Sequence, residues 1–365
     1  MNIDRMAVQN SIFYWMQRTV KEKGCIATTG QVAIGSTRGI VRQDNQDRAA
    51  VVTFYPSDKL SETVNVAVLC DGIGGLQDGA NAAALAISAF VSQLVGLSDD
   101  NLKGQLSFAA NKANGEVFAK YKGRGGCTLS AVSITKAGPV EIVNYGDSRV
   151  YLQNGNGLVQ LSTDDTLDGQ LAKMDRHVGV SLPEFKHLVQ FIGMEGEIDT
   201  SSIDINKIKD GDQILIVSDG VYGVEFQFME KILLNSNSAE SSIKKLLLLS
   251  EWVGGVDNAT AIILPAFSFI DEYESIPHGM FEITTWSSGC FFSIVEMNKQ
   301  HFVSTPNVYV AADLHNPADK MKMSQKAKRK RITKNKQKLS GPEEQTKSKG
   351  EVSQLKIEFN DGEVD

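Results

Sequence analysis

Five aspartates in this 365-residue chain border apolar runs. VAVLC leads into Asp71-Gly72, EIVNY into Gly146-Asp147-Ser148-Arg149, and ILIVS into Asp219-Gly220. ATAIIL is entered through Asp257-Asn258, and AAVVTFY follows Asn45-Gln46-Asp47. One Asp-Gly pair is ordinary turn chemistry. Five acids beside strands can instead converge on one edge of a core, where they repel one another unless cations neutralise them. The candidate ligands are oxygens, with no Cys or His among them, which selects Mg²⁺ or Mn²⁺ over zinc. Gly72, lacking a β-carbon, lets the backbone approach an ion and offer its carbonyl. Two such ions sharing a carboxylate suit the activation of water for in-line attack on phosphorus, chemistry that needs no nucleophilic Ser or Cys. Arg42, four residues before Gln46, supplies a fork for phosphate oxygens.

Positioning these residues requires strands. Short apolar runs recur at 49–55, 64–70, 128–134, 140–145, 149–153, 213–218 and 259–264, each bounded by turn residues. Longer segments at 80–95, 101–121 and 238–253 carry helical patterns, the last with Ser238 as its cap. Strands arrive in adjacent pairs with helices gathered between them, which predicts antiparallel sheets covered by helices. Residues 1–28 read as an N-terminal helical leader, with weak periodicity through Phe13, Met16 and Val20. The catalytic region is expected over 29–266. An extension at 267–318 contains strand-like runs, and 319–365 is a basic and polar tail expected to be disordered.

Charge is uneven. From Lys320 onward there are 13 Lys and Arg against 7 Asp and Glu, so the first 319 residues carry about −13 while the whole chain is −7. The basic strip Lys320–Lys338 has no interleaved aromatics for base stacking, which argues against nucleic acid and leaves an acidic partner, an anionic membrane surface or simple solvation as its expected roles. The four cysteines (Cys25, Cys70, Cys127, Cys290) form no CxxC pair, arguing against zinc and against a disulfide framework. No apolar run approaches the length of a membrane span, and no secretory signal pattern opens the chain. A cytoplasmic protein is expected.

Six segments, in order, resemble the metal-dependent PPM protein phosphatases, or type 2C serine/threonine phosphatases, of the compact bacterial kind. They are GIVRQDNQD (39–47), VLCDGIGGLQDG (68–79), GGCTLSAVSI (125–134), VNYGDSRVYL (143–152), DQILIVSDGVYG (212–223) and VDNATAIIL (256–264). The resemblance covers about Gly30 to Pro265. It implies an α+β fold, a four-layer α-β-β-α sandwich of two antiparallel sheets. It also implies that Asp71 bridges two tightly bound ions with help from the Gly72 carbonyl, and that Asp219 and Asp257 hold the first ion. Asp47 would serve the second-ion side, Asp147 a weaker third ion, and Arg42 the substrate phosphate. The implied activity is hydrolysis of phosphoserine and phosphothreonine in proteins through a metal-bridged water, opposite a serine/threonine kinase. The alternatives are a catalytically weak regulatory module that binds a phosphoprotein or kinase, and a phosphatase of small molecules. Departures are local. Ile73 stands where eukaryotic relatives keep a histidine, and Asp165 and Ser162 replace a histidine and a threonine in QLSTDDTL (160–167). The flap region, 168–196, matches only at FIGMEG.

Overall fold

The computed structural model describes residues 5–17, 23–28, 32–56, 60–76, 78–98, 104–135, 140–173, 187–198, 203–205, 208–209, 211–266, 280–287 and 290–297. The chain parts into two units, Met1–His315 and Asn316–Asp365, and the second lies wholly outside the described residues. So does the basic tail.

Two antiparallel sheets are stacked. The first runs β1(Lys23–Thr28), β2(Val32–Thr37), β11(Ala259–Pro265), β10(Gln213–Val217), β7(Arg149–Asn154), β8(Gly157–Gln160). The second runs β13(Cys290–Met297), β12(Met280–Ser287), β3(Arg48–Phe54), β4(Val64–Cys70), β5(Leu129–Ile134), β6(Val140–Tyr145), β9(Ile203–Ile205). Alternation along the strands builds three apolar layers. Ile214, Ile216, Ile262 and Leu264 face Ala67, Leu69, Val132 and Ile142 between the sheets. Leu215, Val217, Ala261 and Ile263 point outward, under the helix α7(Ala239–Trp252) and its neighbours α5(Asp219–Tyr222) and α6(Phe226–Leu234). On the other side Val66, Val68 and Cys70 meet α2(Gly79–Leu94) and α3(Gln105–Tyr121). Because helices cover both outer faces, the strands are buried on both sides and read as nearly continuous apolar runs. The four-layer α-β-β-α sandwich expected from the sequence is the observed fold.

Helix ends follow local chemistry. The Ser238 side chain accepts from the Ser241 amide at 3.2 Å, capping α7. Helix α2 is rich in alanine; Ala82, Ala83, Ala86 and Ala89 are buried, allowing close approach of α3. Two segments differ from the sequence expectation. The N-terminal helix α1(Arg5–Met16) is short and buries Val8, Ile12, Trp15 and Met16 against α2, so it is part of the core. Residues 23–28 form β1, an edge strand paired with β2, where a helical leader was expected. Within 267–318, β12 and β13 pair as a hairpin and β12 joins β3, widening the second sheet. A short helix α4(Leu167–Lys173) begins the flap region, of which residues 174–186 lie outside the described residues.

Candidate active site

Strand register gathers the acids. Arg48 pairs with Cys70, so Asp47, just before β3, stands beside Asp71, just after β4. In the other sheet Val217 pairs with both Arg149 and Ala261, bringing Asp219 at the end of β10 toward Asp147 and Asp257. Asp147 lies in the turn by which the chain leaves β6 of one sheet for β7 of the other. All five therefore occupy the same end of the sandwich, on the seam between its sheets.

A buried hydroxyl and amide frame holds them. Ser218 Oγ donates to Asp47 Oδ2 at 2.8 Å and accepts from the Thr260 amide at 2.9 Å. Thr128 Oγ1 accepts from the Asp71 amide at 2.9 Å and touches Ser148 Oγ at 2.8 Å. Asn258 is the hub of the opposite wall. Its side chain donates to the carbonyls of Arg38 and Asp44, at 2.9 and 3.0 Å, and accepts from the Gln46 amide at 2.8 Å. Ser218, Thr128 and Asn258 escaped sequence reasoning, although each directly neighbours a motif residue or lies within a motif. Packing by itself calls for glycine at position 72: a β-carbon there would stand 2.6 Å from the Gly79 backbone.

The electrostatics are those of crowded like charges. Burial, then Asp47, Asp219, Asp147 and Asp257, push the Asp71 carboxyl well above the usual range. Its carboxyl lies close enough to those of Asp47 and Asp219 for each to act on the other. Asp219 is pushed up to about 7, first by burial and then by Asp257, Asp147 and Asp47. Burial also raises Asp147, with Asp164 adding to it, and raises Asp47 against the pull of Thr260 and Ser218. Two buried oxygens, Asp47 Oδ1 and Asp219 Oδ1, have no hydrogen-bond partner. Buried anionic oxygens left this way cost free energy that a cation would recover. The donor set is all oxygen, which fits a hard divalent ion. Among the described residues, no group of three or more acidic, His or Cys side chains closes into a ready set of ligands. Asp257 is instead engaged by Arg42, whose Nη2 donates to Asp257 Oδ2 at 2.6 Å while the guanidinium packs over Gly74.

Beside the acids opens a cleft of about 800 Å³, whose lining includes Asp147, Asp219, Tyr222, Val253, Val256 and Asp257. Also in its lining, Arg149 forms a fork with Asp164 at 2.7 to 3.1 Å and stacks on Tyr222 at 3.8 Å. Asp165, a departure from the family pattern, has a clear local role. Its carboxylate accepts from the Gly146 amide at 3.3 Å and from Gln190 at 3.2 Å, clamping the turn that carries Asp147. Ser162, the other departure, accepts from the Val150 amide at 2.9 Å.

No family model matches the chain. It is 25% identical over 242 residues to the serine/threonine phosphatase stp of Listeria innocua, covering 62% of this chain and 92% of that one. Among solved structures it is similar to the PPM Ser-Thr phosphatase MsPP of Mycobacterium smegmatis, with a TM-score of 0.54 at 24% identity over 66% of this chain and 99% of that one. It is also similar to the catalytic domain of the serine threonine protein phosphatase PstP in complex with two manganese ions, with a TM-score of 0.50 at 28% identity over 64% of this chain and 96% of that one. In motif order and sandwich architecture, as in these relatives, the chain is similar to the PPM-type bacterial protein phosphatases.

Proposed function

We propose that the protein hydrolyses phosphoserine and phosphothreonine in proteins, with Mg²⁺ or Mn²⁺ held among the seam carboxylates. The observation that carries this reading is the convergence of five aspartates from both sheets, two of them with buried, unpartnered oxygens. Asp71, within reach of Asp47 and Asp219, is suited to bridge two ions, with the Gly72 carbonyl beside it. Asp219 and Asp257 would hold one ion, and Asp47 would serve the other directly or through water. Asp147, at the cleft edge, would serve a weaker third. Bound ions supply neutralisation of phosphoryl charge and a lowered pKa for water. Arg42 orients the phosphate through its planar fork. Ile73 brings no proton to the leaving oxygen, so that proton comes from solvent in the open cleft.

The substrate class implies an opposing serine/threonine kinase, and the basic tail suits an acidic docking partner. Among the described residues no helix is long and apolar enough to cross a membrane, and we place the protein in the cytoplasm. Turnover of p-nitrophenyl phosphate that requires Mn²⁺, ceases with EDTA and is exceeded on phosphopeptides is the expected result. Folded protein that binds Mn²⁺ without turnover would identify a regulatory binding module, and faster turnover of small metabolic phosphoesters would identify a small-molecule enzyme.

The Arg42–Asp257 pair gives a second expectation. Both side chains are partly exposed, so the pair is worth at most about 1 kcal/mol. Arg42→Ala should free Asp257 and tighten Mn²⁺ binding about two- to fivefold by calorimetry. Loss of a charge-assisted contact to phosphate should cut kcat/KM about 10- to 100-fold. Unchanged Mn²⁺ affinity would show that the arginine does not compete with the ion.

A further inference from the structure

The rim of the cleft is apolar on one side. Ile40 and Val41 are exposed on the loop between β2 and β3, and Val253 and Val256 on the loop between α7 and β11. Val256 is 69% exposed, Ile40 67%, and Trp252, which closes α7, 84%. Single exposed apolar residues are ordinary on any surface. Here four sit on two loops that also carry Arg42 and Asp257, and Trp252 stands at the helix end where one of those loops begins. Those loops are stitched together. The Ile40 and Val41 amides donate to the Gly255 carbonyl at 2.8 and 3.1 Å, and Arg42 bonds Asp257. Gly39, at φ +74°, packs where a β-carbon would stand 2.7 Å from the Gly255 carbonyl oxygen, and a β-carbon on Gly255 would meet Ile40 at 2.9 Å. The contacts leave the loops little freedom to fold their side chains away, so the apolar groups stand on a fixed platform.

This platform is continuous with the site. Val253 and Val256 line the same cleft as Asp219, Asp257 and Tyr222. The same lining also presents Asp147, Asp164 and Asp168, and its cation, Arg149, is already forked to Asp164. A polypeptide whose phosphate meets Arg42 must lay its neighbouring side chains over the apolar rim and keep acidic ones from those carboxylates. We propose that Ile40, Val41, Trp252, Val253 and Val256 form a recognition surface for phosphoprotein segments carrying a bulky aliphatic or aromatic residue next to the phosphorylated Ser or Thr. This rests on the phosphatase reading and adds its sequence preference.

The test uses the full chain with Mn²⁺ and phosphothreonine peptides that differ only at the flanking positions, Ile or Leu against Ser or Asp. The apolar-flanked peptide should be favoured about tenfold in kcat/KM, the order expected for partial burial of one large side chain. The double variant Ile40→Ser with Trp252→Ser, neither residue lining the catalytic cleft, should lose that preference while p-nitrophenyl phosphate turnover stays unchanged. Equal kcat/KM on the two peptides, or a preference that survives in the double variant, overturns the proposal and leaves the phosphatase reading intact. Absent turnover on every substrate sinks the phosphatase reading instead, and the rim is then decided by binding. Phosphopeptides should change the Trp252 fluorescence, with Trp252→Phe as control, and the apolar-flanked one should bind more tightly. A dimer in sedimentation that the double variant dissolves, without any peptide preference, would reassign the rim to a second copy of the chain and overturn the proposal.

Discussion

Asp219→Asn should abolish Mn²⁺-dependent turnover, by about 10³-fold, and yet make the metal-free protein more stable at pH 8. With Asp219 in its proposed role of positioning an activating ion, its loss removes several kcal/mol of transition-state stabilisation, and each 1.36 kcal/mol is tenfold in rate. The stability gain follows from linkage. Asp219 is an acid raised to about 7 in the folded protein, so between about pH 4 and 7 the folded state binds more protons than the unfolded chain. Stability contributed by its protonation is present at low pH and is lost as pH rises through 7. Above that, the charged carboxylate is a burden among Asp257, Asp147 and Asp47. Neutral Asn removes it, for a gain of roughly 1 to 2 kcal/mol after allowing for water at the half-open site. Metal-free wild type should therefore melt lower at pH 8 than at pH 6, and Mn²⁺ should raise its Tm most at pH 8. Thermal melts of both proteins, with EDTA and with Mn²⁺, check this; a wild type whose metal-free Tm rises from pH 6 to 8 would refute it.

Gly220→Ala should inactivate the enzyme without touching a charged group. Gly220 is the second residue of α5, and a methyl group there would collide with the Asn258 carbonyl oxygen and lie 2.8 Å from its carbon. Backbone must move, because neither group has a flexible end to give way. The cost is about 3 kcal/mol, at the upper end for overpacking, or a Tm fall of about 8 °C. The displaced atoms belong to the residues after Asp219 and after Asp257, so both carboxylates shift together. An error of 1 Å in a positioned group is worth about 10²-fold in rate. Gly115→Ala is the control. It lies within α3, with open space where the β-carbon would go, and should stabilise by about 0.5 to 1 kcal/mol with activity unchanged. Equal behaviour of the two variants in melts and assays would refute the packing argument.

Much of the scaffold could be read from residue order because both faces of its strands are apolar. Runs such as VNVAVLC and ILIVS stand out when each side chain has a helix or a second sheet to meet, and the acids mark where those runs stop. The Ser238 cap was legible for the same local reason. β1 was not, since KGCIAT mixes a charge and a glycine into an edge strand whose one strand partner among the described residues is β2. Partner-dependent roles were equally hidden. Asn258 reaches Gln46, 212 positions away, and Ser218 reaches Asp47, 171 positions away. Nothing in either residue's neighbourhood announces those bonds. Asp165 reads as a loss against the family pattern until Gly146 and Gln190 are seen to depend on it.

The pairing of β2 with β11 carries a consequence for how the chain comes together. Thr37 pairs with Ala259, so β2 finds its inner neighbour only after 222 further residues have been made. At ordinary synthesis rates that wait is on the order of ten seconds or more. β3 to β6, by contrast, follow one another as neighbours in the second sheet, with α2 and α3 inserted between β4 and β5. Local contacts form quickly and distant ones late, because closing a long loop costs entropy before any contact repays it. Asp47 and Asp71 thus assemble early on one sheet, while Asp219 and Asp257 arrive with the last strands of the other. The five acids can therefore meet only once β11 has been made, so a chain that holds the second sheet alone carries just part of the site.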